Sequence, residues 1–168
     1  MNKELKSYLK TEMIIAAAFN FFINGMIAAL IHHKADYVAT DIISIAIDLT
    51  CTCLFINIIS ALFCRVSVRR TKTTGILKTE SRFILFSSKL FKHPILFGVL
   101  TGTTAAVVLF SLTALFFVWL GIQMLPFGIY VALKCVFTAF LGGGATLLAL
   151  YSGMCETKLT KLNRKIIL

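Results

Sequence analysis

Two ionisable side chains stand inside apolar stretches that would be expected to exclude them: Asp48, in Ile45-Ala-Ile-Asp48, and Lys134, in Val131-Ala-Leu-Lys134. A charge at the middle of a membrane-crossing helix costs roughly 2.5–3.5 kcal/mol even on the lenient insertion scale, so it persists only with a partner or a use. Asp48 lies seven residues beyond Asp41, and Lys134 eight beyond Pro126, counting inward from the outer ends of their segments. At a helical rise of 1.5 Å per residue, both reach about 10–12 Å beneath the outer surface. Asn24, seven residues before Ile31, falls in the same layer, and Ser111 or Thr113 supplies a polar group from the remaining segment. Opposite charges at one depth predict an Asp48–Lys134 pair, which removes most of the cost of burying either.

The neighbouring polar residues are periodic. Asp41, Ser44, Asp48 and Thr52 recur at intervals of three or four and share one helix face, and Asn20 and Asn24 sit one turn apart on another. Such stripes either bond helices together or line a polar path. Interhelical hydrogen bonds in membranes average well under about 1 kcal/mol, so packing alone does not demand an aspartate. The expected substrate or ion pathway is therefore Asp48, Lys134, Asn24, Asn20, Thr52 and Ser44.

Small residues mark where helices touch. Gly98-x-x-x-Gly102-x-x-x-Ala106 is a face on which another backbone can approach closely, in this chain or in a second copy forming a homodimer. Gly142-Gly143-Gly144 weakens its helix by about 1 kcal/mol per glycine relative to alanine, which points to tight packing or a hinge.

Other reactive residues offer less. Five cysteines are an odd number; Cys51 and Cys53 diverge on any helix, and Cys64 and Cys155 fall at segment ends. His32-His33 with Asp36 and Asp41 is a weak metal signal, because adjacent histidines point apart on a regular backbone. Neither a metal nor a cofactor is expected. No Ser-His-Asp set, H-E-x-x-H, C-x-x-C or phosphate-cradling glycine loop is present, so the chain is not expected to be an enzyme.

The elements that must carry these residues follow from composition. The 168 residues are 58% hydrophobic and 14% charged, with mean hydropathy +0.90. Soluble domains run at about 45–50% apolar and about 25% charged, so a soluble enzyme and a disordered chain are both excluded. Crossing about 30 Å of hydrocarbon takes roughly 20 apolar residues. Four stretches qualify, at about 13–31, 41–64, 94–121 and 126–151, the last two opened by Pro94 and Pro126. Residues 122–125 read as a tight hairpin between neighbouring helices.

Charge sets the expected orientation. Fifteen of the 17 basic residues lie before the first span, in the 65–93 loop or after the last span. The positive-inside rule then places both termini and that loop in the cytoplasm. The net charge of +10 is thereby a juxtamembrane feature that attracts anionic lipid headgroups. Nucleic-acid binding is not expected. From Ile76 to Phe91 the loop patterns as a basic interfacial helix, with Lys78, Arg82, Lys89 and Lys92 toward the headgroups and Ile76, Phe83, Phe86 and Leu90 opposite.

The expected protein is an all-α integral membrane protein of one domain, 1–168, spanning the inner or plasma membrane four times as a helical bundle with both termini inside. Its expected role is permease-like or channel-like movement of a small solute or ion through the polar layer. The alternative is a non-transporting accessory or immunity-type protein that binds a partner through its helix faces or basic loop.

Overall fold

A computed structural model describes residues 3–70 and 82–155. In chain order it contains α1 (Lys3–Ile31), β1 (Tyr37–Ala39), α2 (Ile42–Arg70), α3 (Arg82–Leu90), α4 (Pro94–Leu120), β2 (Met124–Pro126) and α5 (Phe127–Met154). Helices α1, α2, α4 and α5 are long and apolar enough to cross a membrane, so the chain is a multi-pass membrane protein. Two of them overrun the stretches that hydropathy marks. α1 begins ten residues earlier than expected, because Leu5 and Leu9 bury themselves one turn apart among the polar residues around them. α2 continues to Arg70, where Val68 is buried as well.

Helix ends follow local chemistry. Pro94 sits in the first turn of α4, where its missing N–H costs nothing. Gly121 ends α4 at φ 63°, the left-handed conformation that glycine adopts freely, and its N–H bonds back to the last turn. Asp41 caps α2, its Oδ1 accepting the amides of Ile43 and Ser44 at 3.1 Å each.

The chain runs helix–strand–helix twice, and the repeats interlock. α1 packs along α5, α5 along α2, and α2 along α4. The row is therefore α1–α5–α2–α4, and each extensive pairing joins the first half of the chain to the second. This corrects the expected hairpin at 122–125. α4 and α5 are adjacent in sequence, yet they do not pack along one another. Instead β2 leaves α4 to pair antiparallel with β1, Val38 opposite Leu125. Thr40 extends the clasp, its N–H to the Gln123 carbonyl at 2.9 Å and its hydroxyl to the Ile122 carbonyl at 3.1 Å. Strands of three residues have too few positions to show periodicity, so neither was legible from residue pattern.

The apolar core sits at the opposite end from this clasp. Leu5, Leu9, Cys64, Val68, Phe97, Leu150 and Met154 cluster there with Phe91, which follows α3. Tyr8 and Ser67 bridge α1 and α2 at the same end, their hydroxyl oxygens 2.6 Å apart. α3 lies against α5 and α4, burying Ser87 while Phe83, Phe86, Arg82 and Lys89 remain exposed, as does Lys92 just beyond it. Lys78 and the start of the expected amphipathic segment lie outside the described residues.

Candidate functional site

The expected ion pair forms. α2 and α5 run parallel, and Lys134 reaches across from α5 to the α2 face that carries Asp48 and Thr52. Its Nζ is 2.5 Å from Asp48 Oδ1 and Oδ2 and 2.8 Å from Thr52 Oγ1. An ammonium has three N–H donors, and three oxygens take them. Tyr130, one turn before Lys134 on the same helix face, donates its hydroxyl to Asp48 Oδ2 at 3.2 Å. His32, at the end of α1, stands edge-to-face on the Tyr130 ring at 5.1 Å. The two charges are buried very unequally: the Lys134 side chain is 9% exposed and that of Asp48 is 39% exposed.

What exposes Asp48 is a cleft of about 910 Å³. It lies between α4 and α5, the two helices that do not pack together, with α2 as its floor. Phe116, Phe117 and Thr113 line it from α4, Tyr130, Leu133 and Phe137 from α5, and Ser44, Asp48 and Cys51 from α2. Val38 and Leu125 border it at the end nearest the strand clasp. Toward the core, a second cavity of about 380 Å³ continues along the same two helices, sharing Phe137 and reaching Asn57 and Gly144. Beyond the cleft, the Asp41 carboxyl is held below its ordinary value. The Ser44 hydroxyl and amide, followed by the Ile43 amide, bond to its charged form.

Of the residues expected to form the pathway, Asp48, Lys134 and Thr52 come together, and Ser44 lines the same cleft. Asn20 and Asn24 do not join them. Both lie at the α1–α5 contact, on another side of α5. Asn20 donates to the Ala16 carbonyl at 2.8 Å and Asn24 to the Asn20 carbonyl at 3.1 Å, while the Thr138 hydroxyl also bonds the Asn20 carbonyl at 3.1 Å. Equal depth was a valid inference. A common layer was not, because α1 has only α5 as its extensive neighbour. Between the two α4 candidates, Thr113 lines the cleft, whereas Ser111 is exposed and bonds the Val107 carbonyl.

The glycines divide similarly. A Cβ on Gly98 would lie 2.5 Å from Ile58 Cα, and one on Gly102 would lie 3.0 Å from the Cys53 carbonyl oxygen, so both seat α4 against α2. That occupies the face expected to serve a homodimer. Gly142 and Gly143 face α1, at Asn20 and at Met13. Gly144 was expected to pack, yet it faces open space beside the second cavity. α5 continues unbroken through all three.

The adjacent histidines do point apart, His32 to Tyr130 and His33 Nδ1 to the Leu30 carbonyl at 2.8 Å. Among the described residues no three His, Cys, Asp or Glu side chains lie close enough to share a metal ion. All five cysteines are free, and Cys51, in the cleft, is exposed while the other four are buried.

Sequence reading missed Tyr130 and weighed His32 only as a weak metal ligand, not as a neighbour of the pair. The signal for Tyr130 was available, since a phenol four residues before a buried lysine shares its helix face. His32 had none, because its place depends on α1 lying beside α5. No family model, curated protein or solved structure matches the chain.

Proposed function

We propose that this is a small permease-like membrane protein whose substrate site is the cleft above the Asp48–Lys134 pair. One observation carries the reading: the pair joins the two helix–strand–helix repeats, and its carboxylate is open to a cavity rather than sealed. Binding sites at the interface of internal repeats, near ionisable groups within the membrane, are the pattern that transport by relative motion of two halves requires. The packed core at one end and the cleft toward the other fit a state open on one side.

The clustering of basic residues supports reading both termini and the 65–93 loop as cytoplasmic, in the inner or plasma membrane. Arg82, Lys89 and Lys92 then meet anionic headgroups, and exposed Phe83 and Phe86 dip into the interface beside them. The accessory role is less well supported, because the glycine face of α4 is spent on α2.

Reconstitution into liposomes tests the proposal. Flux of a screened solute is expected, and Asp48→Asn is expected to abolish it. Flux that is indifferent to Asp48→Asn, or no flux for any solute in the screen, counts against it.

A further inference from the structure

We propose that the cleft takes an organic, lipophilic monocation, a conclusion that rests on the cleft being the substrate site.

The charge follows from valence. Lys134 spends its three donors on Asp48 Oδ1, Asp48 Oδ2 and Thr52 Oγ1, and its side chain is nearly covered. No lysine donor remains for an anionic ligand. The Asp48 carboxylate offers about four acceptor positions; two face Lys134 and one takes the Tyr130 hydroxyl. Lys134 lines the cleft as well, but its side chain is nearly covered while that of Asp48 is 39% exposed, so the pair presents mainly its carboxylate there. An arriving ligand therefore meets the negative end of the pair.

The rest of the ligand follows from the walls. Phe116, Phe117, Phe137 and Tyr130 present aromatic surface to the cavity. The faces of such rings attract a cation by about 0.5–2 kcal/mol, more as water is excluded. A bare inorganic cation would lose its hydration against apolar walls that cannot replace it. At about 910 Å³, the cleft falls instead within the range of sites that enclose drug-sized organic molecules. The pair's geometry thus selects for charge, and the walls select for an apolar body carrying it.

A matched pair of probes separates charge from shape: tetraphenylphosphonium and tetraphenylborate, with opposite signs and nearly the same outline. Binding is read in detergent-purified protein as protection of Cys51, the exposed cleft thiol, from a neutral maleimide. Unmodified protein is expected to be protected by the cation at concentrations about tenfold lower than by the anion. Asp48→Asn should raise the protecting cation concentration about tenfold, whereas Lys134→Met should leave it unchanged or lower it, since the ammonium competes with the ligand. A structural disturbance would not give opposite responses from two members of one pair. Equal or better protection by tetraphenylborate overturns the inference without any variant, and so does equal weakening by both substitutions. Cation-selective protection without Asp48-dependent flux of the cation upholds this inference and removes transport. Asp48-dependent flux of an anionic or neutral solute, without cation protection, does the reverse.

Discussion

Gly98 lies so near Ile58 that a single added methyl carbon would stand 2.5 Å from the Ile58 Cα and 2.9 Å from its nitrogen. Both atoms are backbone and cannot rotate away, so the distance between α4 and α2 is set by the absence of a side chain. Gly98→Ala is expected to destabilise the protein by about 1–3 kcal/mol through overpacking. Gly142→Ala should cost less, because the obstructing group there is the Asn20 side chain, which can move. Gly144→Ala, facing open space, should be neutral or stabilise by up to about 1 kcal/mol. Unfolding of the three variants in mixed micelles checks the order, and a Gly144→Ala defect as large as that of Gly98→Ala would refute it.

The ion pair makes a second prediction. Removing one member leaves the other charge in the membrane without its counter-ion, which typically costs about 3–5 kcal/mol at buried sites. Lys134→Met leaves a carboxylate that is already partly exposed, and Asp48→Asn leaves a covered ammonium. Asp48→Asn should therefore be the more damaging of the two. The double variant should recover much of the loss, giving a coupling energy within the usual range of about 0.5–3 kcal/mol. Additive single effects would mean that the charges act independently.

Cys51 reports the side of the membrane on which the cleft opens. It is exposed in the cleft, while Cys53, Cys64, Cys135 and Cys155 are buried. In intact cells or right-side-out vesicles, a membrane-impermeant thiol reagent should label it from outside, and Cys51→Ser should abolish that labelling. Labelling only in inverted vesicles would reverse the proposed orientation.

Asp41 gives α2 a pH-dependent start. Hydrogen bonds from Ser44 and the amides of α2 hold its carboxyl below the ordinary value. A lowered value in the folded state means that its contribution is complete above the unfolded-state value and fades as pH falls through the folded one. Asp41→Ala should therefore lower the unfolding temperature at neutral pH, and the gap from the unmodified protein should narrow in acid. A gap that stays constant into strong acid would show that the charged cap has no part in it.

How far the sequence carried this structure depended on the kind of information needed. The four spans were legible because hydrocarbon thickness imposes a length that composition reveals, and the Asp48–Lys134 pair because depth can be counted along a helix. Leu5 and Leu9 were hidden among lysines that depress hydropathy, although their spacing by one turn was visible. Which helices are neighbours was not legible. Short connections suggest that sequential helices pack together, and here the strand pair overrides them by drawing β2 back to β1. Asn20 and Asn24 lie apart from the ion pair for that reason: nothing local says which side of α5 holds α1. Tyr130 was within reach of the same helical arithmetic that related Ser44 to Asp48.

The interlocked order of the helices bears on how the protein is made. α1 and α2 leave the ribosome first, yet their extensive partners, α5 and α4, are the last spans to be synthesised. Until then, Asp48 must sit in the bilayer without Lys134. The first two spans are thus completed before their partners exist, and the Asp48 charge is paired only when a lysine 86 residues later arrives. Severing the chain between α2 and α3 should yield two fragments that are degraded when expressed singly and rescue one another when expressed together.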